Sequence, residues 1–70
     1  MVEKSIELTG TSTNSIEDAV NLAVSRAAVT IDGLRRVDIG TVSATIEDGA
    51  VARWHVTMKI TFAIQDRLHE

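Results

Sequence analysis

A long alternation of apolar and polar residues in the last part of the chain constrains the fold most. Side chains of a strand point alternately to its two faces, so this pattern predicts a strand with one buried face and one wet face. From Ala50 to Gln65 such a strand would run about 50 Å, at about 3.3 Å per residue. The apolar members are Ala52, Trp54, Val56, Met58, Ile60, Phe62 and Ile64, and the polar members are Arg53, His55, Thr57, Lys59, Thr61 and Gln65.

Two further elements are predicted in the first half of the chain. Residues Val2 to Leu8 alternate with a period of two, which predicts a first strand. A helix is predicted next, because Ser15 and Asp18 resemble a capping box and Gly33 supplies a left-handed stop. Between these signals the apolar residues recur at three- and four-residue spacing and form one stripe of mostly small side chains: Ile16, Ala19, Val20, Ala23, Val24, Ala27, Ala28 and Ile31.

The stretch from Leu34 to Ile46 predicts the remaining strand, with a change of phase inside it. Its apolar residues are odd-numbered up to Ile39 and even-numbered from Val42 onward. A β-bulge at or near Gly40 would restore a single buried face, and glycine tolerates such a bulge. The pair Asp48-Gly49 then predicts a tight hairpin turn into the last strand. The predicted order of elements is therefore βαββ.

A chain of this size needs an additional source of stability. It has 70 residues and no cysteine, with His55 and His69 as its only histidines. Such a small domain buries only about 60% of its unfolded surface and is commonly stabilised by disulfides, a metal or oligomerisation. The predicted helix, about 17 residues at about 1.5 Å each, covers only about half of the last strand. We therefore predict a single domain over residues 1–70 that assembles with copies of itself.

Charge and composition argue against several classes of function. The net charge is −3 with acids and bases interspersed, and Arg35-Arg36 is too short a basic run to follow a nucleic-acid backbone. No run approaches the ~20 apolar residues of a membrane span, and the N-terminus lacks the pattern of a signal peptide. We expect a cytoplasmic protein without a nucleic-acid or membrane partner. We also expect no enzymatic activity, since no catalytic spacing is recognisable.

Several residue runs, taken together, resemble the dodecins, which are small βαββ proteins that form hollow homododecamers and bind flavins. The similarity covers nearly the whole chain without gaps. It implies an α+β fold in which a three-stranded antiparallel sheet wraps on one helix. The matching residues are Leu8-Thr9-Gly10-Thr11-Ser12, Ser25-Arg26-Ala27, Leu34, Asp48-Gly49-Ala50-Val51-Ala52, Val56-Thr57-Met58-Lys59 and Phe62.

The resemblance also implies where a flavin would bind. In flavin-binding dodecins, a tryptophan two residues after the Leu34 position stacks on the isoalloxazine ring. A glutamine just before the Val-Thr-Met-Lys run hydrogen-bonds the pyrimidine edge of that ring. This sequence has Arg36 and His55 at these two positions. Two ligand-linked arginines of similar bacterial members are replaced here by Ser43 and Ala63.

The substituted positions have structural as well as functional interpretations. The guanidinium of Arg36 can lie flat on a ring, or the side chain can be a solvated surface arginine. His55 can donate or accept a hydrogen bond at a ligand edge, or simply occupy the wet face of its strand. Trp54 has the parity of Val56 and so faces away from His55, which predicts a packing role instead of a ligand contact. His69 is interpreted as a surface residue.

Two hypotheses of function remain open. The first is a storage shell that sequesters a flavin (riboflavin, FMN or a breakdown product) at subunit contacts through Arg36 and His55. The second is a dodecin-like assembly that has lost flavin binding and serves as a structural shell or binds another ligand or a cation. For a cation we considered Asp38, Glu47 and Asp48. Hard cations want about six oxygen ligands, so these residues are interpreted as exposed carboxylates without a metal.

Overall fold

The computed structural model of the protein describes residues 2–64. It confirms the predicted order of elements. Gln65, predicted to end the last strand, and His69, predicted to lie on the surface, are outside the described residues. The elements are β1 (Val2–Ser12), α1 (Ile16–Thr30), β2 (Leu34–Glu47) and β3 (Ala50–Ile64).

The helix begins at the cap predicted from the sequence, and it ends at Thr30, before the predicted stop at Gly33. Ser15 is the N-cap, and its Oγ accepts a hydrogen bond from the Asp18 N–H at 2.9 Å. At the other end the cap residue Ile31 is already extended, and its N–H donates to the carbonyl of Ala27 at 3.0 Å. Gly33 has the predicted left-handed φ, 76°, but it lies two residues beyond this cap, in the link to β2. Between these caps the helix has 15 residues, which makes it about 22 Å long.

The sheet has the order β1-β3-β2, with the long strand β3 in the middle and both pairings antiparallel. β1 pairs with β3 without interruption, from Val2 opposite Ile64 to Ser12 opposite Trp54. The pairing of β2 with β3 shifts at three points, between Leu34 and Arg36, between Ile39 and Val42, and between Thr45 and Ile46.

The middle shift contains Gly40 and confirms the predicted bulge. The other two shifts were not predicted from the sequence. At the end of β2, Asp48 and Gly49 have φ values of 53° and 78°, the pair of positive angles that a type I′ hairpin turn requires.

The core lies between α1 and one side of the sheet, which we call the apolar face. Gly10 lies where the helix crosses β1, and a Cβ at this position would overlap the carbonyl oxygen of Ala19 and approach Ala23 Cβ to 3.2 Å. Small residues therefore allow the helix to pack close to the strand. Two members of the predicted stripe, Ile16 and Ala28, are exposed and do not belong to the core. The buried apolar residues are Ala19, Ala23, Ala27, Val56, Met58 and Ile60.

Residues 45–53 form a two-stranded extension that we call the hairpin arm. It continues past the end of β1, because Ser12 is the last residue of β1 and lies opposite Trp54. The molecule measures 57 × 19 × 12 Å, more than twice the length of α1 in its longest direction. Ile46 and Val51 of the arm are exposed, as is Val42 just before it. The predicted apolar surface beyond the reach of the helix is therefore present.

Candidate ligand-binding face

The side of the sheet opposite to the helix is polar, and we call it the polar face. Trp54 and Phe62 are the only aromatic residues of types Phe, Trp and Tyr in the chain, and both lie on the apolar face. A ring-shaped ligand on the polar face therefore meets no phenylalanine, tryptophan or tyrosine from its own sheet. The polar face comprises Glu3, Ser5, Glu7, Thr9, Thr11, Arg36, Asp38, Ser43, Thr45, Arg53, His55, Thr57, Lys59, Thr61 and Ala63.

Arg36 lies toward the end of the sheet that adjoins the C-terminus of α1. Its register partner is Thr61, which is buried and whose Oγ1 lies 3.0 Å from Ser5 Oγ. Arg36 Nε donates to Asp38 Oδ2 at 3.3 Å, and the two side chains are 60% and 57% exposed. Such an exposed ion pair contributes only about 0–1 kcal/mol. The guanidinium is therefore oriented by Asp38 but remains accessible to a ligand.

His55 lies at the base of the hairpin arm and is half-buried. Its register partners are Thr11 on β1 and Ser43 on β2. Nε2 lies 2.7 Å from Thr45 Oγ1, and the tautomer decides which of the two atoms donates. This contact engages one ring nitrogen and leaves Nδ1 for a ligand. Trp54 lies on the opposite face, which confirms the predicted orientation.

The four positions at which the resemblance implies ligand contact fall into two groups on the polar face. His55 and Ser43 are direct register partners. Arg36 lies opposite Thr61, two residues before Ala63 on β3. His55 and Thr61 are six residues apart on β3, a separation of about 20 Å. One chain therefore does not bring Arg36 and His55 together.

A shallow depression of about 570 Å³ lies between the two groups. Its polar lining includes Glu7, Lys59 and Asp38, which are neighbours across the three strands in the register. Two carboxylates flank one ammonium in this row, so the depression does not favour an anionic ligand.

The bulge at Gly40 fixes the path of β2 between the two groups. The N–H of Thr41 donates to Thr57 Oγ1 at 2.7 Å, and Thr57 Oγ1 lies 3.3 Å from the Thr41 carbonyl oxygen. A Cβ on Gly40 would come within 2.8 Å of the same Oγ1. Thr57 thus satisfies the backbone groups that the bulge removes from the ladder.

The carboxylates considered for a cation do not form a cluster. Among residues 2–64, no three or more histidine, aspartate or glutamate side chains are grouped so that they could hold a metal ion. Asp38 is paired with Arg36, and Glu47 and Asp48 are exposed at the hairpin turn.

The described part of the chain also contains no helix that is long and apolar enough to cross a membrane.

Sequence reasoning missed two side chains that orient the predicted site residues. Asp38 bonds Arg36, and this contact has a sequence signal, since residues two apart on a strand share a face. Thr45 bonds His55 across the hairpin arm. That contact depends on the register of β2, which the bulges shift, so the sequence alone carries no signal for it.

The fold and the polar face define a class of small α+β proteins in which one antiparallel sheet wraps a single helix and leaves its other face to solvent. A protein-family model described as Dodecin matches residues 2–65, and the chain belongs to the dodecin family. The expected family and fold class are therefore confirmed.

Individual relatives support the same assignment. The curated dodecin of Thermus thermophilus is 29% identical over 65 residues, which span 93% of this chain and 94% of the relative. The solved dodecin of Streptomyces coelicolor is 35% identical and superimposes with a TM-score of 0.88 over 93% of each chain. A calcium dodecin of Mycobacterium tuberculosis, described as calcium-chelating, is 25% identical with a TM-score of 0.80 over 96% of each chain.

Proposed function

We propose that this chain forms a homododecameric, cytoplasmic shell that sequesters a flavin (riboflavin, FMN or a flavin breakdown product) between its subunits. The proposal rests on the two groups of candidate contact positions, which lie about 20 Å apart on one polar face. The three-ring system of a flavin is much shorter than this separation. One binding site therefore needs two copies of the chain, each contributing a different group.

Arg36 supplies the flat surface in this site. A guanidinium is planar, weakly hydrated and able to stack on aromatic rings. Asp38 accepts from Nε at 3.3 Å and so sets the orientation of the plane, while the terminal nitrogens stay available to the ligand. Because the described polar face has no phenylalanine, tryptophan or tyrosine, Arg36 takes the place of the tryptophan in flavin-binding dodecins.

His55 supplies the contact to the ring edge. Thr45 holds the imidazole through a hydrogen bond of 2.7 Å and restricts its rotation. The remaining ring nitrogen donates or accepts a single hydrogen bond, where the glutamine of flavin-binding dodecins presents both a donor and an acceptor. We therefore expect a weaker and less selective contact than a glutamine gives.

The mechanism is sequestration without covalent chemistry. Flavin rings held in pairs between subunits are removed from solution, and their excited states are quenched in these pairs. The shell thus buffers free flavin and limits its photochemistry.

The proposal is tested by titrating riboflavin and FMN with the purified protein and following flavin fluorescence. We expect saturable quenching. Arg36→Ala should weaken the affinity for flavin about fivefold, since a cation–π contact contributes roughly 1 kcal/mol. Arg35→Ala serves as the control, because it removes a neighbouring arginine that is not a candidate contact. Unchanged fluorescence at micromolar protein overturns flavin binding.

Mixed shells test whether the site is shared between subunits. Arg36→Ala and His55→Ala chains, co-expressed in one cell, should bind more flavin than shells of either variant alone, because some sites then receive Arg36 from one chain and His55 from another. No recovery in the mixed shells would mean that both residues act within one chain or that neither contacts the ligand.

A gain of binding tests the correspondence with flavin-binding dodecins. The double substitution Arg36→Trp and His55→Gln should tighten flavin binding by about 1–3 kcal/mol, the scale of an aromatic stack plus a buried hydrogen bond. No gain would show that these positions do not line the pocket.

A second candidate function is an assembly that has lost flavin binding and holds a cation or another ligand. The observation favouring it is that Arg36, His55, Ser43 and Ala63 replace all four flavin-linked side chains considered above. The related calcium dodecin supports the cation version. Calorimetric titration with Ca²⁺ distinguishes the two candidates, since a calcium signal without flavin quenching supports only the second.

A further inference from the structure

The surroundings of His55 on the polar face carry few charges. Its register partners, Thr11 on β1 and Ser43 on β2, are uncharged. Along β3 the neighbours on the same face are Arg53 and Thr57, each two residues away. Because α1 packs on the apolar face, no charged side chain of the helix faces the imidazole. Arg53 is therefore the nearest charged residue on the described face.

The carboxylates of the polar face lie farther from the imidazole. Glu7 and Asp38 are in the row of Lys59. Lys59 is four residues from His55 along β3, a separation of about 13 Å. The carboxylates of the hairpin turn lie beyond the other end of the arm. Within the described chain, a protonated His55 therefore gains no carboxylate partner.

The contact with Thr45 determines what the other ring nitrogen of His55 can do. Nε2 lies 2.7 Å from Thr45 Oγ1. A hydroxyl both donates and accepts, so either partner can be the donor while the imidazole is neutral. Nδ1 then accepts if Nε2 carries the proton and donates if it does not. Once both nitrogens are protonated, Thr45 can only accept and Nδ1 can only donate.

We infer that His55 and Thr45 form a pH-dependent contact that holds a ring carbonyl of the flavin more tightly in weakly acidic solution; this inference rests on the flavin binding proposed above. Histidine is the side chain that ordinarily gains a proton between about pH 8 and pH 5. The pyrimidine edge of a flavin presents two carbonyl oxygens and one N–H. A protonated imidazole donates to a carbonyl oxygen, and such a charge-assisted hydrogen bond is about twice as strong as a neutral one.

The charge of Arg53 opposes this gain only in part. Its side chain is exposed, and it lies about 7 Å from His55 along the strand. Water and salt screen the repulsion between charges at exposed positions. The hydrogen bond to the ligand acts at contact distance, so it should outweigh the repulsion.

Titrations of riboflavin with the protein at a series of pH values test the inference. Riboflavin is the probe because it stays neutral in this range and its fluorescence reports binding. The affinity of the wild-type protein should rise about fivefold from pH 8 to pH 5. His55→Gln should remove the rise, because an amide does not titrate. His69→Gln removes the other histidine of the chain and should keep the rise.

Thr45 offers a matched pair of variants. Thr45→Ser keeps the hydroxyl and should keep the rise in affinity. Thr45→Val keeps the shape without the hydroxyl and should reduce the rise, because the imidazole loses the partner that directs Nδ1 to the ligand. A loss of affinity by the same factor at both pH values in Thr45→Val would show that Thr45 acts only in packing, and would overturn its part in the contact.

The outcomes separate this inference from the proposed function. An affinity that stays flat or falls toward pH 5, or a rise that survives His55→Gln, overturns the inference and leaves flavin binding in place. A change of subunit number with pH, measured by native mass spectrometry, places the effect in the assembly and also overturns it. Absence of quenching at every pH overturns both the inference and flavin binding.

Discussion

Under the helix, Val56, Met58 and Ile60 of β3 are buried almost completely, whereas in the hairpin arm Val51 and Ile46 are exposed. Both regions have alternating strands, and they differ in what lies against the apolar side. The covered region is packed by the alanines of α1, and the arm projects beyond them. This difference separates two uses of the same pattern: the covered region stabilises the single chain, and the arm presents surface that another molecule can cover.

The largest effect on this comparison should come from Ile60→Ala. Ile60 is 1% exposed and lies beneath α1. The substitution removes buried methyl groups and leaves a cavity, so the free energy of unfolding should fall by about 3 kcal/mol. Urea unfolding at a fixed protein concentration measures the change.

The matched substitution in the arm is Ile46→Ala, which should change the stability of the single chain by less than about 1 kcal/mol because its side chain is mostly exposed. Equal losses at both positions, measured under conditions in which the chain is monomeric, would remove the distinction between the covered region and the arm.

Gly10→Ala should have the next largest effect. The added Cβ overlaps the backbone of Ala19 and forces α1 away from β1. We expect a loss of about 2 kcal/mol, typical of overpacking in a tight core. Thermal unfolding followed by circular dichroism measures the loss, and an unchanged melting temperature would show that the helix can shift at no cost.

Ser12→Ala should weaken the corner between β1 and α1. Ser12 Oγ donates to Asp18 Oδ2 at 2.7 Å and accepts from the Asn14 N–H at 2.9 Å. Losing these bonds at a buried position should cost about 1 kcal/mol. Hydrogen exchange should show faster opening of the first helical turn, and the control is Thr13→Ala, an exposed residue of the same turn.

Asp38→Asn should have the smallest effect on stability, within about 0.5 kcal/mol, because its ion pair with Arg36 is exposed. Its effect on flavin affinity should be larger than its effect on stability, since Arg36 would lose the group that orients it. A stability loss well above this value would place Asp38 in the framework of the fold instead of the candidate site.

The fold was readable from the sequence because its signals are local. The capping residue Ser15, the left-handed Gly33 and the Asp48-Gly49 turn each act within a few residues, and the structure has all three where they were predicted. The alternation of β3 fixed which residues share a face. The bulge near Gly40 was also predictable, because a change of phase needs one extra residue.

The candidate site was harder to predict from the sequence, because its contacts depend on which residues of neighbouring strands lie opposite each other. The register shifts beside Arg36 and Thr45 are not marked in the sequence by a glycine or by a clear change in the apolar alternation, as the shift at Gly40 is. The contacts of Arg36 with Asp38 and of His55 with Thr45 therefore appear only in the structure. The separation of Arg36 from His55 also follows from the pairing of three strands. Their roles toward a ligand remain predictions.

The division of the sheet into two faces has a consequence for how such a protein can diversify. The side chains that hold the helix and those at the candidate contact positions alternate along the same strands and point to opposite faces of the sheet. Arg36, Ser43 and His55 can therefore be exchanged for other residues at little cost to folding. Ligand preference in this architecture is evolvable, and a designer can recode the polar face while the apolar face is kept unchanged.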